Sequence, residues 1–465
     1  MPSPKPVAAI ASMQAYRVER HPAPVDLFLA GNEGKAPPPS LLKALAQADP
    51  ELLRRYPDTR ALEARLAVRH DLDPDRVIAT AGADDALDRI CRACLEPGRQ
   101  LVLPSPTFEM LPRYASLTGA TIRDVDWSEG PYPTEAVLAA VTDATALIAM
   151  VTPNNPTGGH ATADDLQAVS NGAPHATIVL DLAYGEFADE DLTATALSLP
   201  NVIITRTLSK AWGMAGLRVG YALGPAELIT WLRRSGQPYA VTAPSAFLAE
   251  ARLNDEPDLN DFIAQIKKER AALQATLTDL SIHALPSQAN FVFAETPKRA
   301  WLSDGLAGLG IAVRTWPGHE RLGEALRITC PGDDAAFTRL TEALATVLAP
   351  QALLFDMDGV LADVRPSYRQ AILDTAQSFE VTLTADDIAA GKAAGDANND
   401  WILTQRLLAQ KGRDIPFEQV KDRFEALYQG TPDQPGLWQK ETLFPGRPLL
   451  EQLATKVPLL SLIHI

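Results

Sequence analysis

"TRTLSKAWGMAGLRVGY", residues 205–221, places one lysine, Lys210, directly behind a hydroxyl-rich turn and follows it with Arg218 among three glycines. A solvated lysine needs no such company. A lysine that must hold a phosphorylated aldehyde does: its amine condenses with the aldehyde, while hydroxyls and a guanidinium fork take the phosphate.

Working outward, "QLVLPSP" (100–106), "ALIAMVTP" (146–153), "TIVLDLAY" (177–184) and "NVIITRT" (201–207) are short apolar runs with the character of buried strands. Helical patterns such as "LEARLAVRH" (62–70) and "ADDLQAVSN" (163–171) lie near or between them. This alternation predicts an α/β fold with a largely parallel sheet covered by helices on both faces. Ligands of such sheets sit at the carboxyl ends of the strands. Each run ends in a polar turn: 105–108, 153–157, 181–184 and 205–210. The four turns are expected to converge on one crevice.

The composition sets bounds. A chain of 465 residues predicts more than one domain. A hydrophobic share of 46% and a charged share of 22% are those of a globular protein. A net charge of −16 argues against nucleic acid or an anionic membrane as partner. No apolar run approaches a membrane span, and the N-terminal segment lacks the apolar core of a signal peptide, so a cytoplasmic location is expected. Of the three cysteines, Cys91 and Cys94 form a C-x-x-C. They share helical spacing with Leu87, Ile90 and Leu95, which predicts a buried apolar stripe rather than a redox or metal site.

Pyridoxal phosphate fits the predicted crevice. Lys210 would carry its aldehyde. Asp181, ending the neighbouring strand, would keep the pyridine nitrogen protonated. Asn155 in "TPNNPTGG" and Tyr184 in "DLAYGEF" would hydrogen-bond the phenolic oxygen, and Phe108 in "SPTFEM" would cover the ring. Ala83 and Asp84 begin a helix after a glycine turn, and with Thr207, Ser209 and Arg218 they would bind the phosphate. Taken singly, each motif has a plain structural reading as a turn, a cap or a surface charge. Their joint occurrence, in order, at successive strand ends is what carries weight.

The chain resembles the histidinol-phosphate aminotransferases, within the class I and II aminotransferases of pyridoxal-phosphate fold type I, over roughly residues 28 to 345. The likeness rests on "YPDTRALEARLA", "AGADDALDRI", "PSPTFEM", "VTPNNPTGG", "DLAYGEF", the lysine stretch, "SQANFVFAE" and "ALRITCPG". It implies a large domain, about 35–250, with a mostly parallel seven-stranded sheet. It also implies a small α+β domain from the N-terminal segment and about 255–349, and a cytoplasmic homodimer in which Tyr56 reaches the partner's cofactor phosphate. By the same resemblance Arg327 binds the substrate carboxylate, Arg314 is a second substrate-facing arginine, and Asn32 lies in the segment that closes over the site. The expected reaction is ping-pong transamination between an amino donor such as histidinol phosphate and a 2-oxo acid. The departures "NEGKAPPPS", Phe108 for a common tyrosine, and "DLAY" for "DEAY" leave aromatic amino-acid transamination or threonine-phosphate decarboxylation as alternatives.

A second unit is expected over 350–465. "ALLFDMDGVLADVRPSYRQAI" (352–372) resembles the first motif of the haloacid dehalogenase superfamily. That likeness implies a partial Rossmann-like domain with a helical cap over about 366–440. Asp356 would be its nucleophile, Asp358 its acid and base, and Mg²⁺ would be held by both. The final strand "KVPLLSLIHI" should lead to further phosphate and metal ligands. "LSLIHI" is what the transposon-end sequence CTGTCTCTTATACACATC encodes, so a native continuation past about Leu459 is expected. As it stands, this unit is expected to lack phosphatase activity. A non-catalytic appendage is the other reading.

Overall fold

The computed structural model describes residues 4–15, 22–254, 256, 258–395, 399–432 and 434–462. Part of "GDANNDWILTQRLL" and the end of "LSLIHI" lie outside the described residues. The chain divides into two compact units, Met1–Leu348 and Ala349–Ile465.

The first unit contains two sheets. β1 (Leu27–Leu29) belongs to the smaller one. The larger has seven strands: β2 (Val77–Thr80), β3 (Gln100–Ser105), β4 (Thr121–Asp126), β5 (Thr145–Val151), β6 (Thr177–Asp181), β7 (Val202–Thr207) and β8 (Gly220–Leu223). Their order is β2-β8-β7-β6-β5-β3-β4. The pairs β3/β4, β3/β5, β5/β6 and β6/β7 are parallel, and β8 runs antiparallel to both its neighbours. Alternation along β7 shows why the central strands read as continuous apolar runs. Val202 and Ile204 enter one core and Ile203 the other. Helix Gly82–Cys94 delivers Leu87 and Ile90 to the second core, and helix Ala163–Gly172 delivers Leu166 and Val169 to the first. A sheet buried on both faces cannot alternate polar and apolar residues.

Cys91 and Cys94 lie on that second-core stripe, both buried and unpaired by disulfide. Burial pushes the Cys91 thiol up to about 12, so no thiolate is available for redox chemistry near neutral pH.

The smaller sheet adds β9 (His283–Ala284), β10 (Phe291–Glu295), β11 (Ile311–Thr315) and β12 (Ala325–Thr329) to β1, in the order β1-β11-β12-β10-β9. β1 pairs with β11 in parallel and β12 lies antiparallel to both β11 and β10. The register sets Arg314 directly opposite Arg327.

In the second unit, strand Leu353–Asp356 pairs in parallel with Leu459–Leu462. Helices Gln370–Ser378, Ala385–Ala393, Asp400–Gln410 and Phe417–Gln429 enclose a separate core around Ile372, Leu403, Leu407 and Phe424. No helix among the described residues is long and apolar enough to cross a membrane.

Candidate active site

The turns after β3, β5, β6 and β7 line one crevice of about 1230 Å³, together with β1, β11 and β12. It brings together Asn32, Ala83, Asp84, Phe108, Asn155, Asp181, Tyr184, Thr207, Ser209, Lys210, Arg218, Arg314 and Arg327. Tyr56 is not among its lining. It is 79% exposed and stacks on Tyr239, ring centroids 4.6 Å apart.

Lys210 follows β7, and its Nζ donates to the Gly31 carbonyl at 3.1 Å and lies 5.6 Å from the Tyr184 ring centre. Asp181 ends β6. Its Oδ1 accepts from the Thr205 hydroxyl at 2.9 Å and from the Ala183 amide at 3.1 Å. Burial raises its carboxyl to about 6, against the downward pull of those two bonds. A buried carboxylate of this kind is stabilised by a cation placed against it. Tyr184 is buried, and its hydroxyl accepts from Asn32 Nδ2 at 2.9 Å, which leaves the phenolic proton free to donate. Asn32 sits at φ 56°, a conformation asparagine tolerates better than most residues. Both polar ends of its buried side chain meet protein groups, since Oδ1 also accepts from Thr329 at 2.8 Å.

An anion cradle lies at the start of helix Gly82–Cys94. No side chain caps that helix, so its first-turn amides keep their donors. Gly82 has φ +78°, and a Cβ there would meet Arg218 Nη2 at 2.7 Å. Thr207 Oγ1 donates to Ser209 Oγ at 2.8 Å, and Arg218 reaches Ser209 Oγ at 3.4 Å and the Asp84 carboxylate at 2.8 Å. Backbone donors, two hydroxyls and a guanidinium suit a phosphate monoester. Beside Lys210 and the buried Asp181, this donor set fits pyridoxal phosphate.

In the same crevice, Arg327 donates to Asn155 Oδ1 and to the Ala30 carbonyl, the latter at 2.7 Å. Its guanidinium lies 5.0 Å from the Phe291 ring centre. Arg314 lies 3.6 Å from Glu109 and 5.5 Å from the Trp316 ring centre. Two arginines opposite each other in a sheet repel, so an anion beside the pair is favoured.

Several residues that shape the crevice carry no signal on their own. Thr205 could have been found by period two from Thr207, because it lies in register with Asp181. Asn154 joins two turns: it accepts from Thr107 at 2.8 Å and donates to the Pro106 carbonyl at 2.9 Å. Glu186 Oε1 accepts from Arg206 at 3.2 Å and from Trp212 at 3.4 Å, tying the Tyr184 turn to the Lys210 turn.

These features coincide with known relatives. Residues 28–344 match the family Aminotransferase class I and II. The chain is 34% identical over 329 residues to histidinol-phosphate aminotransferase of Ruegeria pomeroyi, covering 68% of this chain and 89% of that one. It is 33% identical over 342 residues to an aromatic amino acid aminotransferase of Mycobacteroides abscessus, covering 72% and 97%. The crystal structure of histidinol-phosphate aminotransferase from Sinorhizobium meliloti in complex with pyridoxal-5'-phosphate aligns with a TM-score of 0.66 at 26% identity, covering 74% of this chain and 97% of that one. With the lysine, the buried aspartate and the phosphate cradle on one crevice, the chain belongs to the class I and II aminotransferases and is a pyridoxal-phosphate-dependent aminotransferase.

Proposed function

We propose that the enzyme moves an amino group between histidinol phosphate and 2-oxoglutarate. The observation that carries this reading is the facing pair Arg314 and Arg327, which lines the same crevice as the phosphate cradle. A single site that serves a phosphate-bearing donor and a dicarboxylic acceptor in turn needs a strong, geometrically specific anion receptor, and a guanidinium fork provides one.

When bound, pyridoxal phosphate supplies an aldehyde and an electron-withdrawing ring that stabilises negative charge on the substrate carbon bearing nitrogen. Ala83, Asp84, Thr207, Ser209 and Arg218 hold its phosphate, the first two through backbone amides. Phe108 covers the ring. Lys210 would be the residue that holds the aldehyde, and its free Nζ would be the base that moves the proton at that carbon. Asp181 keeps a proton on the ring nitrogen. Asn155 and Tyr184 donate to the phenolic oxygen. Arg327 binds the substrate carboxylate or phosphate, with Arg314 beside it, and Asn32 fixes Tyr184 from behind. The exposure of Tyr56 leaves it available to complete a partner's cradle in a homodimer, and a cytoplasmic location is part of the same proposal.

The aromatic wall supports aromatic amino-acid transamination as the second reading, because Phe108, Tyr114 and Trp316 all line the crevice. Product analysis by mass spectrometry with histidinol phosphate, phenylalanine, tyrosine and threonine phosphate as donors decides between them. The expected result is imidazole acetol phosphate and glutamate, formed with ping-pong kinetics. Failure of histidinol phosphate beside rapid turnover of phenylalanine would replace the first reading with the second.

For the second unit we propose a haloacid dehalogenase-like plan, in which Asp356 at the end of a parallel strand would be the nucleophile and Asp358 the acid and base. Burial, then Glu441, Asp356 and Asp400, raise the Asp358 carboxyl, as suits a proton donor. Among the described residues no group of three or more His, Cys, Asp or Glu is gathered for a metal ion, so no further acid joins Asp356 and Asp358 to complete a Mg²⁺ site. No metal-assisted step follows for this unit. The 465-residue protein should release no phosphate from p-nitrophenyl phosphate with Mg²⁺ present, and a chain ending at Leu348 should keep its transaminase activity within about twofold, since the two cores are separate. Phosphate release that Asp356→Asn abolishes would overturn the first expectation, and loss of transamination on shortening the second.

A further inference from the structure

We infer that Arg321 is a positioning residue of the substrate site: it ties the two sheets of the first unit together at the rim of the crevice, and keeps them tied while substrate occupies Arg314 and Arg327. The inference rests on those two arginines being substrate-facing.

The sequence prepares both halves of the tie. Along β4, "TIRDVD" (121–126), period two puts Asp124 and Asp126 on one face of the strand while Val125 enters the core. The register sets Asp126 beside Ser105, the last residue of β3, three residues before Phe108. Two carboxylates on one face repel, and a cation between them relieves the repulsion. Arg321 supplies that cation from the connection between β11 and β12. Its Nη1 donates to Asp124 Oδ2 at 3.2 Å, and its Nη2 donates to Asp126 Oδ1 and to the Ser105 carbonyl, the latter at 2.9 Å. A guanidinium fork serves several acceptors at once. The connection is itself pinned: His319 Nδ1 accepts from the Arg321 and Leu322 amides, each at 3.2 Å, and Leu322 is buried with Leu285 and Phe293. Trp316 packs on that cluster, its ring centre 5.5 Å from the Arg314 guanidinium and 5.9 Å from that of Arg327. Arg321 thus fixes where Trp316 and the two arginines stand relative to the turn that carries Phe108.

Other bonds cross between the same two sheets, from Arg314 to Glu109 and from Arg327 to Asn155. A substrate anion competes for both of those guanidinium groups. Arg321 differs, because two carboxylates already neutralise it. It attracts a further anion weakly and keeps its partners when the site fills. Ser105, Asp124 and Arg321 all line the crevice, yet the Arg321 side chain is 36% exposed and that of Asp124 56%, which places the tie at the rim.

The test uses the full chain loaded with pyridoxal phosphate, and glutarate, a dicarboxylate with no oxo group to react. Calorimetry should show Arg321→Ala binding glutarate about fivefold more weakly than the parent, with the affinity for pyridoxal phosphate within about twofold. Damage to the fold would weaken both. The glutarate loss should persist in the triple variant Arg321→Ala, Asp124→Asn, Asp126→Asn, where neither carboxylate is left to repel an anion. In protein stripped of the cofactor, amides of 316–324 should exchange hydrogen several-fold faster in both variants, with those of β7 unchanged. A glutarate loss confined to the single variant, equal losses for cofactor and glutarate, or unchanged exchange over 316–324 would overturn the inference. If the parent fails to bind glutarate, the assignment of Arg314 and Arg327 falls, while the exchange rates still decide whether Arg321 holds the connection.

Discussion

Lys210→Ala should fold, bind pyridoxal phosphate only reversibly, and lose transamination by on the order of a thousandfold or more. The fold should survive because Lys210 contributes little to it. Its Nζ makes one hydrogen bond, to the Gly31 carbonyl, at the edge of an open crevice. One such bond is worth about 1 kcal/mol, so the melting temperature should drop only slightly. The chemistry should fail because the crevice turns hold no second amine. Among the residues lining the crevice Lys210 is the single lysine, and the arginines stay protonated and cannot act as bases. The measurement is borohydride reduction of the cofactor-loaded protein, digestion and mass spectrometry. In the parent protein the label should fall on the peptide containing Lys210, and in Lys210→Ala no peptide should carry it. A label on another lysine of the parent would transfer the role elsewhere.

Four strands of the large sheet are legible because they are buried on both faces and need no register to be seen. β4 is not. Thr121, Arg123, Asp124 and Asp126 are exposed on an edge strand, and the apolar run that identifies β5 or β6 is missing there. β8 begins at the very end of the glycine-spaced lysine stretch, and its antiparallel direction depends on pairing with β2 and β7, not on its four residues. The site divides in the same way. Lys210, Asp181, Tyr184 and Arg218 are legible because polar residues at strand ends of an α/β sheet converge by topology. The Glu109–Arg314 pair is not, because it joins a turn of one sheet to a strand of another, and no spacing along the chain reports that distance. Glu186 is hidden for a related reason: its partners Arg206 and Trp212 flank residues of the crevice while facing away from it.

Asp181→Asn should bind pyridoxal phosphate through the intact cradle and Lys210, yet lose on the order of a thousandfold in turnover, the size of effect expected when a buried electrostatic partner is removed from the transition state. An amide cannot hold a proton on the ring nitrogen as a carboxylate can. The same substitution has a second signature in protein stripped of the cofactor. Burial sets the folded carboxyl near 6, above the ordinary 3.8. A raised carboxyl means that the folded state keeps a proton the unfolded chain has released. Stability is therefore full below about pH 4 and falls as pH rises to about 6, by about 3 kcal/mol in all. In Asp181→Asn that contribution is absent. Stripped parent and variant should diverge in melting temperature across this window, the parent falling relative to the variant as pH rises. Cofactor should reverse the order, because its protonated nitrogen provides the cation that the buried carboxylate otherwise lacks. Thermal melts of both proteins at about pH 4 and pH 7, with and without pyridoxal phosphate, measure all four states. Parallel pH profiles for the stripped proteins, or near-parent turnover by Asp181→Asn, would show that the Asp181 carboxylate neither resists its burial nor holds the ring.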